Sequence, residues 1–177
     1  MPIYEPSNSS SVRVNIFAFG SPYGDDSIGW LLAERLVAEQ RPRDAGIRVC
    51  QLDRPVLTLT QRLEPEVPTL IIDAMISGQP IGSLHELTMA QIPDALTQLS
   101  SHGYGLLASL QLAKALGRLP RVCLILAIEI NPLTKPASPF SQALAHRLTP
   151  LSRQILVRAR QLARVCESEP YPENLSR

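Results

Sequence analysis

The chain has 177 residues, 45% of them hydrophobic and 19% charged, which suits one domain with a sizeable core and excludes a disordered polypeptide. Its formal net charge of +1 gives no electrostatic basis for binding nucleic acid or an anionic membrane, so neither is expected as a partner. No apolar run approaches the roughly 18 residues of a membrane-spanning helix, and the N-terminus lacks the basic start and apolar segment of a signal peptide.

Apolar patterning predicts strands and helices that alternate along one domain, residues 12–165, between disordered tails at 1–11 and 166–177. In chain order we predict a strand over 12–19, a helix over 26–40, a strand over 47–52, a short helix over 56–63, a strand over 69–75, a strand over 84–88, a helix with an apolar stripe over 106–116, a strand over 121–130, and a helix over 139–165 that is continuous or broken near Pro150. Gly117 and Pro120 are expected to end the third helix.

Most of the predicted strands are apolar on both faces, as is typical of strands covered by helices on both sides. The expected fold class is therefore α/β, a three-layer α/β/α sandwich with a mostly parallel five-stranded sheet. The strand over 84–88 follows a tight turn and alternates in polarity, so it is the candidate antiparallel member.

The three cysteines form no CxxC pair, and Cys50 and Cys123 lie within apolar stretches, whereas Cys166 lies in the predicted tail. An odd number of cysteines without metal-ligand spacing favours free thiols over a disulfide or a cysteine metal site. Mid-strand positions also predict buried thiols rather than activated nucleophiles. We therefore expect a protein of a reducing compartment, the cytoplasm.

Acidic residues follow three of the predicted strands. Asp25 and Asp26 come after the first strand, Asp53 follows the second, and Asp73 ends the third. His102 directly precedes the third predicted helix. Since ligands bind at the carboxyl ends of the strands in such sheets, we expect these side chains to gather at one edge.

The two adjacent aspartates are expected to differ in role. One of them is predicted to cap the helix that follows, and the other is predicted to point elsewhere. Two carboxylates and an imidazole suit a divalent transition ion such as Zn²⁺ or Ni²⁺ better than Mg²⁺. The structural alternatives are a turn hydrogen bond for Asp73 and a backbone hydrogen bond for His102.

Several common motifs are absent from the sequence. The glycines after the first strand do not form GxGxxG, and there is no P-loop, HExxH helix or GxSxG nucleophile elbow. Dinucleotide binding, P-loop phosphate binding, zincin chemistry and a serine nucleophile at such an elbow are therefore not indicated.

Three stretches together resemble the nickel–iron hydrogenase maturation endopeptidases. They are "FAFGSPYGDDSIGWLLAERL", "LIIDAMISGQPIGSLHEL" and "SSHGYGLLASLQLAKALGRLP", which occur in order and at fitting spacing. The resemblance extends over residues 12–165 and implies an α/β/α sandwich of phosphorylase/hydrolase-like type, in agreement with the pattern of strands and helices.

The resemblance implies an endopeptidase that removes a C-terminal extension from the precursor of a hydrogenase large subunit after nickel insertion. By matching motifs, Asp26, Asp73 and His102 would contact nickel that the substrate itself supplies, and Zn or Cd could substitute in vitro. This match implies that Asp26 points over the sheet edge toward Asp73 and His102, and that Asp25 is the residue that caps the helix. Asp26 and Asp53 are the candidates for a catalytic carboxylate, as in an aspartic-type endopeptidase. A metal-polarised carbonyl or a metal-activated water is the other route, and we expect a monomer.

The sequence departs from the family pattern in three respects. The loop from Gly20 to the acid pair is about one residue shorter, and Asp26 stands where several members have Glu. Asp53-Arg54-Pro55-Val56 replaces the common Asp-Gly-Gly-Thr.

Alternative functions are a metal-dependent phosphohydrolase or nucleosidase, and a non-catalytic chaperone that senses nickel in a partner.

Overall fold

A computed structural model describes residues 12–53, 55–91, 103–131 and 139–168. The strands are β1 (Val14–Phe19), β2 (Ile47–Leu52), β3 (Thr69–Met75), β4 (Leu84–Thr88) and β5 (Cys123–Glu129). The helices are α1 (Ile28–Glu39), α2 (Pro55–Arg62), α3 (Gly103–Ala115), α4 (Gln142–Ala145) and α5 (Leu148–Ser168). Short 3₁₀ turns cover Gly24–Ser27, Pro42–Asp44 and Met89–Gln91.

The last predicted helix is two helices, as one of the alternatives expected. The break lies at His146 and Arg147 rather than at Pro150, which belongs to the first turn of α5, where a missing N–H interrupts no helical hydrogen bond. Helix α5 continues past 165 to Ser168 and so includes Cys166. The predicted tails at 1–11 and beyond Ser168 lie outside the described residues.

The five strands form one sheet in the order β2-β1-β3-β5-β4. Strand β1 pairs in parallel with β2 and β3, and β3 pairs in parallel with β5. Only β4 is antiparallel, to β5. The predicted α/β class and mostly parallel five-stranded sheet are confirmed.

Side chains alternate between two buried faces of the sheet. The α1/α5 face packs residues such as Ile16 and Ile72 against helices α1 and α5. The α2/α3 face packs residues such as Phe17 and Ile71 against helices α2 and α3. The sheet is therefore covered by helices on both sides, as the apolar strands require.

Helices α2 and α3 are joined by Arg118. Gly117 ends α3 with a φ of +67°, and the Arg118 N–H donates to the carbonyl of Ala113 at 2.7 Å, as in a Schellman motif. The guanidinium then donates to the carbonyls of Thr60, Gln61 and Leu63 at the end of α2. This arginine thereby fixes α3 beside α2 on the same face of the sheet.

An ion pair between Arg160 of α5 and Asp44 attaches this helix to the turn before β2. The Asp44 side chain is fully buried, and both of its oxygens accept hydrogen bonds from Arg160 at 2.8 Å. The backbone N–H of Arg41 donates to the same carboxylate at 3.0 Å. The hydrogen bonds from Arg160 hold the pKa of the Asp44 carboxyl below its ordinary value.

Helix α1 lies directly against the carboxyl end of β1. A Cβ atom on Gly29 would lie 1.9 Å from the carbonyl oxygen of Phe19 and 3.0 Å from its carbonyl carbon. Because both are backbone atoms of a central strand, they cannot move away as a side chain could. The contact therefore requires glycine at position 29 and sets the distance between α1 and β1.

No helix among the described residues combines the length and the apolar character that crossing a lipid bilayer requires.

We expect Gly29→Ala to lower the free energy of unfolding by about 1–3 kcal/mol, because the added methyl group overpacks the contact with Phe19. Alanine is the better helix former by about 1 kcal/mol, so propensity alone would give the opposite sign. Urea denaturation measures the change. Glu34→Ala, on the exposed side of the same helix, should change stability by less than about 0.5 kcal/mol. A Gly29→Ala variant as stable as the native chain would contradict the close approach.

We expect Asp44→Asn to destabilise the fold by about 1–3 kcal/mol at pH 7, since it leaves hydrogen-bond donors of Arg160 without their charged acceptor. The folded-state pKa of Asp44 is lowered, so its stabilisation is present above the unfolded value of about 3.9 and is lost as the pH falls through the folded value. Unfolding curves of the two proteins should therefore converge below about pH 4.

Glu86→Gln is the matched control for that experiment. Glu86 also accepts two hydrogen bonds from an arginine of α5, Arg158, at 2.8 and 2.7 Å. Their side chains are 41% and 34% exposed, so breaking this pair should cost only about 0–1 kcal/mol. Equal effects of the two variants at pH 7 would show that burial of Asp44 contributes nothing.

Candidate active site

The acidic residues that the sequence singled out lie around the carboxyl end of β1. Asp53 directly follows β2, Asp73 lies near the end of β3, and the turn that contains Asp26 follows β1. Since β1 is parallel to both β2 and β3 and lies between them, all three acids are at one edge of the sheet. The carboxyl ends of the three strands therefore lie side by side, and the assembly of the side chains into one site stays a prediction.

Asp25 faces the interior of the protein. It is fully buried, and its Oδ1 accepts a 2.7 Å hydrogen bond from the backbone N–H of Ser141. The N-cap of α1 is Ser27, whose hydroxyl donates to the carbonyl of Gly24 at 2.7 Å. The prediction that Asp25 caps this helix is therefore wrong. A 3₁₀ turn precedes α1 and directs Asp25 toward the segment before α4 instead.

Asp26 belongs to the same turn but is only partly buried. Gly24 enters the turn with a φ of +51°, a conformation that other residues rarely adopt. The backbone N–H of Ser21 donates to the carbonyl of Asp26 at 3.2 Å and closes the loop. The turn thus holds the backbone of Asp26 in place and leaves its carboxylate within reach of solvent.

Trp30 of α1 forms a hydrogen bond with Leu52, the residue directly before Asp53. Its indole N–H donates to the carbonyl of Leu52 at 3.1 Å, and the side chain of Gln51 donates to the carbonyl of Trp30 at 2.9 Å. The end of β2 is therefore attached to α1. Asp53, the next residue, is exposed.

Asp73 is fully buried within an apolar strand. Ile71 and Met75, two residues before and after it in β3, belong to the core on the α2/α3 face. Because every second side chain of a strand lies on the same face, the side chain of Asp73 lies on that face too. Its Oδ1 accepts a 2.8 Å hydrogen bond from the N–H of Ala74. His102, its predicted metal-binding partner, lies outside the described residues, and Gly103 next to it begins α3, which covers this face.

Glu129, at the end of β5, has a structural role that its sequence position did not reveal. It is 1% exposed, and its carboxylate accepts hydrogen bonds from the Ser77 N–H and the Gly78 N–H at 2.8 Å and from the Ser77 hydroxyl at 2.6 Å. This carboxylate therefore holds the turn that follows β3. Its hydrogen bonds leave it no evident role in catalysis.

His85 is a further polar residue of the α2/α3 face that the sequence motifs did not single out. Strand β5 pairs Ala127 with Asp73 on one side and with His85 on the other, so the three residues form one row across the sheet. The Nε2 atom of His85 is buried and has no hydrogen-bond partner among the described residues. The alternation of "LHELT", whose Leu87 packs against the same core, is the signal that could have identified it.

Metal-ligating and nucleophilic groups are sparse in the described part of the chain. No group of three or more His, Cys, Asp or Glu side chains there is placed to hold a metal ion, so the set Asp26, Asp73 and His102 stays a prediction. Cys50 and Cys123 are both free thiols, as expected. Burial raises the pKa of the Cys123 thiol to about 12, which keeps it protonated and unreactive.

Solved structures share this fold. The hydrogenase maturating endopeptidase HybD from E. coli aligns with a TM-score of 0.70 and 20% identity, over 85% of this chain and 93% of that one. HybD from Thermococcus kodakarensis aligns with a TM-score of 0.68 and 22% identity, over 84% and 99%. HycI from Thermococcus kodakarensis KOD1 aligns with a TM-score of 0.60 and 21% identity, over 86% and 95%.

The family model of the hydrogenase maturation proteases, HycI, matches residues 55–158. No curated protein matches the chain significantly. The matched range contains Asp73, His85 and His102, whereas Asp26 and Asp53 precede it. Because the match extends over more than half of the chain, the chain belongs to the hydrogenase maturation protease family, whose members are endopeptidases.

Proposed function

We propose that this endopeptidase removes the C-terminal extension of a hydrogenase large-subunit precursor and that it recognises the nickel ion already inserted into that precursor. The observation that carries the proposal is the fully buried carboxylate of Asp73 in an otherwise apolar strand. Family membership favours this function over a phosphohydrolase, a nucleosidase or a non-catalytic chaperone.

The nickel belongs to the substrate, and Asp26, Asp73 and His102 are the proposed ligands. Carboxylate oxygens and an imidazole nitrogen are donors that suit Ni²⁺, and Zn²⁺ or Cd²⁺ would fit the same set in vitro. Asp73 is held rigidly within the sheet, and Asp26 lies on a turn at its edge. An unloaded precursor lacks the ion and should therefore bind weakly.

Asp53 is the better candidate for a general base, as in an aspartic-type endopeptidase. A carboxylate that binds the ion gives up electron density and becomes a weaker base, which disfavours Asp26. Asp53 is exposed at the end of β2, where it can take a proton from water that attacks the scissile carbonyl. The ion in the precursor would polarise that carbonyl.

The setting we propose is a monomer acting in the cytoplasm. Free thiols at Cys50 and Cys123 are in keeping with a reducing compartment. Gel filtration with light scattering would determine whether the protein is a monomer.

We expect Asp73→Asn to abolish cleavage of a nickel-loaded precursor, with a rate at least about 100-fold below that of the native chain. The amide keeps the size of the side chain and removes the charge that attracts the ion. Intact-protein mass spectrometry of the precursor measures the loss of the extension. Nickel-free precursor is the reference substrate, and thermal unfolding of the variant confirms that it is folded. Cleavage of the loaded precursor at the native rate would contradict a role for Asp73.

The proposed roles of Asp53 as a general base and of Asp26 as a ligand of the ion can be distinguished by measuring binding and cleavage independently. We expect Asp53→Asn to reduce the cleavage rate by about 10²–10⁴-fold, the usual contribution of a general base, with unchanged affinity for the loaded precursor. Asp26→Asn should weaken both affinity and cleavage, because it removes a ligand. Calorimetric titration with the loaded precursor gives the affinity. If Asp53→Asn loses affinity to the same extent, Asp53 acts in binding rather than as a base.

A further inference from the structure

His85 lies on the same row of the sheet as Asp73, with one small residue between them. Asp73 of β3 pairs with Ala127 of β5, and Ala127 pairs with His85 of β4. Neighbouring strands lie about 4.8 Å apart, so the backbones at Asp73 and His85 are about 10 Å apart. The side chain between them is the single methyl group of Ala127, which lies on the α2/α3 face.

The ring of His85 has a polar atom without an internal partner. Its Nε2 is buried, and no atom of the described residues forms a hydrogen bond with it. Buried polar atoms in folded proteins nearly always have a partner, because an unsatisfied one costs free energy. An unsatisfied imidazole nitrogen that shares a face with a buried carboxylate indicates a site that a ligand completes.

The chemistry of the pair favours a divalent transition ion as that ligand. A neutral imidazole nitrogen is a good ligand for Ni²⁺ and Zn²⁺, whereas Mg²⁺ and Ca²⁺ prefer oxygen alone. An ion held by both side chains would lie on the α2/α3 face of the sheet, which Asp73 and His85 share with Ala127. An apolar ligand would leave the Nε2 atom of His85 unsatisfied.

We propose that His85 is an additional protein ligand for the nickel ion, through Nε2 and beside Asp73. The inference rests on the proposed function in taking the ion to be the nickel of the precursor, but the ligand role can be tested without any precursor. The other residues of β4 differ in role. Glu86 lies on the opposite face, where it binds Arg158, and Leu87 packs in the core.

The test is titration of the full-length protein with NiCl₂ in a calorimeter. We expect His85→Ala and His85→Gln to bind Ni²⁺ at least about 10-fold more weakly than the native chain, since loss of even an outer partner of a ligand costs 10–100-fold. Two variants keep the native affinity if the inference is right. They are Glu86→Gln, which lies next to His85 on the other face, and His146→Gln, which replaces an exposed histidine.

A spectroscopic measurement separates ligation from a structural effect. Pulsed electron paramagnetic resonance of the Cu²⁺-loaded protein detects coordinated imidazoles, and we expect one fewer in His85→Gln than in the native chain. Circular dichroism checks that both variants are folded. An unchanged imidazole signal, an unchanged Ni²⁺ affinity, or a native chain that binds no Ni²⁺ at millimolar concentration would each overturn the assignment.

The outcome for His85 is distinguishable from the outcome for the proposed function. If Ni²⁺ affinity depends on His85 but no precursor is cleaved, the ion site stands and the assigned reaction fails. If the loaded precursor is cleaved and Ni²⁺ affinity is independent of His85, the reaction stands and His85 has no part in binding the ion.

Discussion

The contact between α1 and the carboxyl end of β1 determines how the chain is arranged around the first two strand ends of the candidate site. The helix approaches so closely that residue 29 has no room for a side chain against the Phe19 carbonyl. The chain must therefore leave β1 and enter α1 within a short loop, and Gly24 provides the left-handed turn that this requires. The same contact brings Trp30 to the end of β2. The positions of Asp25, Asp26 and Asp53 all follow from it.

Two of the buried carboxylates among the described residues stabilise the fold through several hydrogen bonds. Asp44 and Glu129 have well-formed internal hydrogen bonds, to Arg160 and to the turn after β3 respectively. They stabilise the fold and have no further acceptor role. Asp73 is buried in an apolar strand, and across one alanine lies His85, whose Nε2 has no partner in the described residues. Asp44 and Glu129 therefore have their partners within the fold, whereas the Nε2 atom of His85 is proposed to find its partner in a ligand.

Much of the fold was predictable because burial on both faces makes parallel strands nearly continuous apolar runs. The bounds of β2, β3 and β4 agree with the prediction, as do the antiparallel direction of β4 and the glycine at the end of α3. The 3₁₀ turn before α1 was not predictable, because an aspartate at this position of the sequence is compatible both with a helix cap and with a side chain that faces the interior. Glu129 and His85 depend on pairing between distant strands, which a local pattern does not encode.

The placement of the ligands explains how a protease could distinguish two precursors with the same peptide sequence. Under the proposed function, a fully buried Asp73 would attract the ion of the precursor more strongly than an exposed acid, because attraction between a cation and a carboxylate increases as the local dielectric falls. Because the strands of Asp73 and His85 both pair with β5, the positions of the two residues in the sheet are set before the substrate arrives, and little conformational freedom would be lost on binding. Peptide contacts are equal in loaded and unloaded precursors. Under the proposed function, the difference in affinity therefore comes from the ion, and cleavage follows nickel insertion for that reason.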